Sequence, residues 1–231
     1  MVASSISRCF GLNDEKILNI GYPRNDTLFL RQSNNLLPKL VGRTDEKIIL
    51  YAPTWRKTEN IRYFPFPDVD LKALDLFLQE NNTLMLVRGH INNETYAADL
   101  ANCKQMRHFN NTICEDINDV LAEVDVLITD YSSVYFDFLL IDKPCIFIPY
   151  DLERYKQTQG LLYDNYEFIM AGDHVLTQKD FVQSLLAIFS AKDTYKHIRQ
   201  EINLLFNAAQ TGDTCKILLN KIRTILKKPQ V

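Results

Sequence analysis

Two adjacent serines, Ser132 and Ser133, stand between the apolar run 124–129 and the amphipathic segment 134–140. The run is short, rich in β-branched residues and free of polar alternation, which suits a parallel strand covered on both faces. Tyr135, Phe136, Phe138, Leu139 and Leu140 give the segment after it one wide apolar face. A strand–turn–helix unit of this kind puts two hydroxyls and the first unpaired amides of a helix at the strand's carboxyl end. The helix dipole is positive there, so the chemistry offered is phosphate binding. The simpler reading is a serine that caps its own helix, and taken alone the pair favours it.

Other strand ends add to the phosphate reading. Ligands of an open parallel sheet collect at the carboxyl ends of its strands. The residues placed there are Arg24 in Gly21-Tyr-Pro-Arg-Asn-Asp26, then Thr54, Trp55 and Arg56 in Ala52-Pro-Thr-Trp-Arg56, then Arg88-Gly89-His90, and Asp130 before the serines. A guanidinium is a fixed fork of donors that matches phosphate oxygens, and a histidine can donate to a leaving phosphate or carry a proton. Each residue also has a plainer role: Arg24 can pair with Asp26, Trp55 can pack in a core, His90 can be structural and Asp130 can cap a helix. Asp137 is either a solvated helix residue or, one turn beyond Ser133, an acceptor for ribose hydroxyls. Neither a Walker loop nor a GxGxxG motif is present.

These positions require an α/β scaffold. Strands are predicted at 17–20, 47–51, 83–87, 124–129 and 145–148, with a weaker one at 106–109. Helices are predicted at 70–80, 93–103 and 117–123 between them, an alternation that signifies βαβ units and a Rossmann-like parallel sheet sandwiched by helices. From 177 onward the pattern is almost wholly helical, with segments 178–190, 194–206 and 214–227 and a break at Gly212. The expected organisation is a lead-in at 1–15, a Rossmann-like domain at 16–175, and helices at 176–231 packing on the same domain. The early strand after so short a polar lead suggests a piece of a longer protein.

Composition narrows the partners. The 231 residues are 46% hydrophobic with a net charge of −3 and no long basic run, which argues against nucleic acid and strong electrostatic membrane attachment. Five scattered cysteines without CxxC spacing suggest neither a disulfide framework nor a zinc site, so a reducing cytoplasm is expected. No apolar run approaches a bilayer span, and residues 1–11 lack the pattern of a signal peptide. No cofactor is assigned and no dedicated carboxylate cage is visible; Asp130 and Asp137 could hold magnesium only through water or substrate phosphates, which leaves metal dependence open.

The ordered set Gly21-Tyr-Pro-Arg-Asn-Asp26, Tyr51-Ala-Pro-Thr-Trp-Arg56, Arg88-Gly-His90 and Ile128-Thr-Asp-Tyr-Ser-Ser133 resembles the CDP-glycerol glycerophosphotransferase family of teichoic-acid primases and polymerases. Asp116-Ile-Asn-Asp-Val-Leu121, Asp142-Lys-Pro144, Ile148-Pro-Tyr150 and Gly160-Leu-Leu-Tyr163 extend the resemblance over most of 21–172. It implies a glycosyltransferase-B-like pair of domains, of which this chain is similar to the carboxyl-terminal, donor-binding one. The implied reaction moves glycerol phosphate or ribitol phosphate from CDP-glycerol or CDP-ribitol to a hydroxyl of a lipid-linked or polymer acceptor, releasing CMP. Ser132 and Ser133 would hold the pyrophosphate, Asp137 the ribose, His90 the leaving phosphate, and Arg56 or Arg88 would neutralise charge. The family's acceptor-activating histidine lies in an amino-terminal domain that this chain is too short to carry. His108, His174 and His197 match no such motif. A missing domain or partner chain is therefore expected to complete the cleft, with peripheral attachment to the inner membrane face in that larger context. A UDP-type nucleotide-sugar transferase or epimerase domain and a non-catalytic scaffold are the competing readings.

Overall fold

A computed structural model describes residues 2–29, 36–42, 45–56, 61–89, 100–163 and 165–226. Six parallel strands form one sheet: β1 Lys47–Tyr51, β2 Thr83–Val87, β3 Met106–His108, β4 Val126–Thr129, β5 Cys145–Phe147 and β6 Asp173–His174. Their order across the sheet is β3-β2-β1-β4-β5-β6. All pairings are parallel, so the carboxyl ends of all six strands open on one edge.

Because successive strand residues point to opposite faces, the apolar runs divide into two cores. Ile48, Leu50, Leu84, Leu86, Leu127 and Phe147 join one cluster, while Ile49, Tyr51, Met85, Val87, Ile128 and Ile146 join the other. Strands covered on both faces have no polar alternation to display, which is why they read as continuous hydrophobic runs.

The helices among the described residues are α1 Val2–Phe10, α2 Leu36–Val41, α3 Leu71–Glu80, α4 Val134–Phe138, α5 Leu152–Thr158, α6 Tyr166–Ile169, α7 Gln178–Phe189, α8 Lys196–Asn207 and α9 Thr214–Leu226. On the first face lie α4 through Tyr135 and Phe138 and α8 through Ile202 and Phe206. The second face carries α3 through Leu74 and Leu78 and α7 through Phe181 and Leu185. The carboxyl-terminal helices thus build both sides of the domain.

Several expectations are corrected. Residues 17–20 form no strand: Ile20 N–H closes back on Leu18 O at 3.0 Å, and both sides of β1 are already occupied by β2 and β4. The helix expected at 117–123 is two 3₁₀ turns, Ile117–Asp119 and Leu121–Glu123, because Asp116 accepts the Asn118 amide and ties the chain into a local turn. The expected helix at 93–103 falls largely outside the described residues. Segments 2–10, 36–41, 152–158 and 166–169 are helical where no helix was expected, and the short edge strand β6 was also unforeseen.

Past α4 the 3₁₀ turn Leu139–Ile141 stops at Asp142, whose φ of 54° is left-handed. There the fully buried Arg199 of α8 takes over: its guanidinium donates to both oxygens of Asp193 at 3.0 and 2.6 Å, and Nε to Asp142 at 3.0 Å. Hydrogen bonding from Arg199 holds the Asp193 carboxyl below its ordinary 3.8. A carboxylate depressed in the folded state contributes stability above its unfolded value and loses it as pH falls through the folded value. Acid denaturation monitored by circular dichroism should accordingly show a loss beginning near pH 3.8, and Asp193→Asn should flatten that slope. Identical slopes in the two proteins would show that the clamp is not the acid-sensitive element.

Candidate functional site

In this strand order the chain winds outward in both directions from the junction of β1 and β4, and loops leaving that junction diverge to leave a crevice. Thr54 to Arg56 follow β1, and Asp130 to Ser133 follow β4. The two loops are tied together through Asp130, which is buried. Its Oδ1 accepts from the Thr54 amide at 2.8 Å, from the Thr54 hydroxyl, and from the Tyr131 amide at 2.6 Å. Its Oδ2 accepts from Arg56 Nη2 at 2.9 Å.

Arg56 is buried rather than presented to the crevice. Nε and Nη2 form a two-point contact with Asp151 at 2.9 Å each, and Nη1 donates to Thr54 O at 2.7 Å. Burial opposes its charge, but hydrogen bonds to Asp151 and the charge of Asp130 hold the guanidinium above its ordinary pKa. Arg88 is also committed: Nη1 donates to Cys114 O at 2.6 Å and Nη2 to Glu115 O at 3.2 Å. The expectation that Arg56 or Arg88 supplies free charge at the strand ends is thus replaced by fixed roles within the loops. Neighbouring carboxylates and unpaired loop carbonyls reached these forks first.

Arg24 is placed differently. It arrives on the 3₁₀ segment Pro23–Phe29, anchored by Gln210, which accepts from Tyr22 N–H at 2.7 Å and donates to Tyr22 O at 3.2 Å. Gly21 adopts φ of 88°, and a Cβ there would lie 2.5 Å from Gln210 Oε1, so this approach requires glycine. Asp26 accepts the amides of Thr214 and Cys215 at the start of α9, rather than pairing with Arg24. Arg24 instead donates through Nε and Nη2 to Asp137 of α4 at 3.1 and 3.0 Å, with its side chain 44% exposed.

Asp137 is buried, and it also accepts from Asn25 Nδ2 at 2.7 Å, while Asn118 donates to Asn25 at 2.7 Å. Its oxygens therefore hold Arg24 and Asn25 in place. Asn25 and Asn118 lay inside quoted motifs, but nothing in spacing alone pairs residues 93 positions apart.

Ser132 and Ser133 retain unused groups. Ser133 occupies the N-cap position of α4 without a capping hydrogen bond, and neither serine hydroxyl nor amide has a partner among the described residues. Both serines are accessible. The plainer capping reading is therefore absent from the geometry. Trp55 is 53% exposed on the neighbouring loop rather than in the core. Gly89 is buried after β2, where a Cβ would meet Tyr63 Oη at 2.5 Å and His108 Cε1 at 2.8 Å. His108 Nδ1 is buried there without a hydrogen bond among the described residues, a feature its lack of motif context concealed. His90 lies outside the described residues. Among the described residues no group of three or more His, Cys, Asp or Glu is arranged to hold a metal ion, and no helix is long and apolar enough to cross a membrane.

Strand order and the crevice beside the serine turn define a Rossmann-like α/β domain. The chain belongs to the CDP-glycerol:poly(glycerophosphate) glycerophosphotransferase family, whose model matches residues 1–224. It is 28% identical to the teichoic acid glycerol-phosphate transferase of Staphylococcus aureus (strain NCTC 8325 / PS 47), over 95% of this chain and 57% of that protein. It superposes on a CDPG-soaked variant of the wall teichoic acid polymerase TagF with a TM-score of 0.79 at 28% identity, covering 97% of this chain and 56% of that one. A UDP-GlcNAc 2-epimerase from Neisseria meningitidis shares the fold alone, at 12% identity and a TM-score of 0.57 over 96% of this chain and 58% of that one. The chain thus spans somewhat more than half the length of these relatives.

Proposed function

We propose that this chain is the donor-binding half of a transferase that moves glycerol phosphate or ribitol phosphate from a CDP-activated donor to an acceptor hydroxyl. One observation carries the reading: the uncommitted amides and hydroxyls of Ser132 and Ser133 lie at the β1–β4 junction, and the exposed part of Arg24 is tied to the first turn of the helix they begin. Amides, hydroxyls and a guanidinium fork together suit a diphosphate. Trp55 offers an exposed ring for the base. The acceptor oxygen forms a bond to the distal phosphorus as the bridging P–O bond breaks, and CMP leaves with the electron pair. Negative charge on the leaving phosphate is met by the serine amides and Arg24, a task of alignment and electrostatics rather than covalent catalysis.

His90 is the proposed donor to that leaving phosphate, on the strength of its Arg88-Gly89-His90 motif. The acceptor's proton requires a base from a second domain or chain that closes the cleft. The acceptor is a lipid-linked or polymer chain, which places the complete enzyme at the inner membrane surface. Calorimetry with CDP-glycerol, CDP-ribitol, CMP and UDP-GlcNAc tests the reading. The cytidine ligands are expected to bind and UDP-GlcNAc to bind weakly or not at all. Binding of the uridine ligand alone would transfer the domain to the UDP-type enzymes, and no nucleotide binding would leave a scaffold.

A further inference from the structure

Asp151 follows β5 at the N-cap position of α5, yet its side chain does not cap that helix. It turns inward and accepts from Arg56 Nε and Nη2 at 2.9 Å each and from the Tyr131 hydroxyl at 3.0 Å. Tyr131 immediately precedes the serine pair. Its ring packs on Tyr155 of α5 at 4.2 Å between centroids, and its amide is held by Asp130. Tyr166 Oη donates to Asp130 O at 3.0 Å. The Asp130 carboxylate and carbonyl and the Tyr131 amide and hydroxyl are thus all held by partners, and Asp151 joins the loop after β5 to the loops after β1 and β4.

We infer that Asp151 is a positioning residue for the diphosphate subsite, acting through Arg56 and Tyr131 to hold the amides of Ser132 and Ser133 toward one oxygen cluster; this rests on the functional reading above. The alternative is a carboxylate that merely helps fold the domain. Electrostatics separates these ideas by sign. Arg56, Asp130 and Asp151 together carry one net negative charge, so neutralising Asp151 makes the crevice more favourable to an anion. Positioning predicts weaker diphosphate binding in spite of that change.

The test uses the whole chain and its Asp151→Asn variant, titrated with CDP-glycerol and with cytidine, and amide NMR shifts of Ser132 and Ser133 during the titrations. The variant is expected to bind CDP-glycerol about tenfold more weakly, the loss of a hydrogen bond to a charged group, with cytidine affinity unchanged. The two serine amides should shift less at saturation. Tyr131→Phe removes only the hydroxyl contact with Asp151, so it supplies a well-packed second variant expected to lose about threefold in the same ligand-selective way. Equal or tighter CDP-glycerol binding by both variants, or equal losses for CDP-glycerol and cytidine, would overturn the inference alone. If the unaltered chain binds no cytidine ligand, the functional reading fails and the inference falls with it.

Discussion

Replacing Arg56 with alanine is expected to destabilise the chain by about 3–5 kcal/mol, because it leaves the buried Asp130 and the half-buried Asp151 without their cation. The guanidinium makes four hydrogen bonds to those two carboxylates and to Thr54 O, with its side chain and that of Asp130 almost fully enclosed. Its plane also lies within 5.0–5.6 Å of the ring centroids of Tyr131, Tyr150 and Tyr155. For a chain of this size the loss corresponds to a fall of roughly 6–20 °C in the unfolding midpoint. Differential scanning calorimetry at neutral pH measures it directly. A midpoint within 2 °C of the parent, as an order-of-magnitude bound on measurement and surface effects, would mean that the buried network contributes little and that Arg56 is available for other work.

Substitution at Arg24 should give the opposite pattern. Arg24→Lys keeps a cation beside Asp137, but a lysine is a single point charge without a second face to offer a ligand. CDP-glycerol affinity should fall by about 10- to 100-fold, the range for a lost charge-assisted hydrogen bond, while the thermal midpoint moves by only a few degrees. Two arginines from similar motifs would then separate cleanly into one that holds the fold and one that holds the ligand. Retained affinity in the lysine variant would remove Arg24 from the site and leave the serine turn to bind the diphosphate unaided. Isothermal titration beside the melting curve distinguishes these results.

The scaffold was legible because burial on both faces leaves a signature in the chain itself. Residues 48–51 and 84–87 are apolar throughout, and with Lys47 and Thr83 before them they are β1 and β2. Helices α3, α7 and α9 showed their periodicity and their stops, including the break at Gly212, whose φ is 80°. The run 17–20 is also largely apolar, yet it pairs with no strand and leaves Leu18 44% exposed. Local pattern supplies apolar residues, but whether a place in the sheet is free for them is decided by the rest of the chain, and β2 and β4 already flank β1. The edge strand β6 was hidden because two residues carry no readable period, while the helix at 2–10 is amphipathic and was simply not expected.

The serine turn was legible as a site for the same local reason: a strand, two hydroxyls and an amphipathic helix are contiguous, and contiguous residues remain neighbours after folding. Which charged groups serve it was not. Arg24, Arg56 and Arg88 are chemically identical and all follow quoted motifs, yet Arg56 meets carboxylates 74 and 95 residues away, Arg88 meets carbonyls 22 to 27 residues away, and only Arg24 keeps an exposed face beside the turn. By itself the sequence determined the central strands, the longer helices and the chemical types available at the sheet's edge. Only the tertiary structure decided which of them are left free, because a fork of donors is satisfied by whichever acceptors the topology brings within hydrogen-bonding distance.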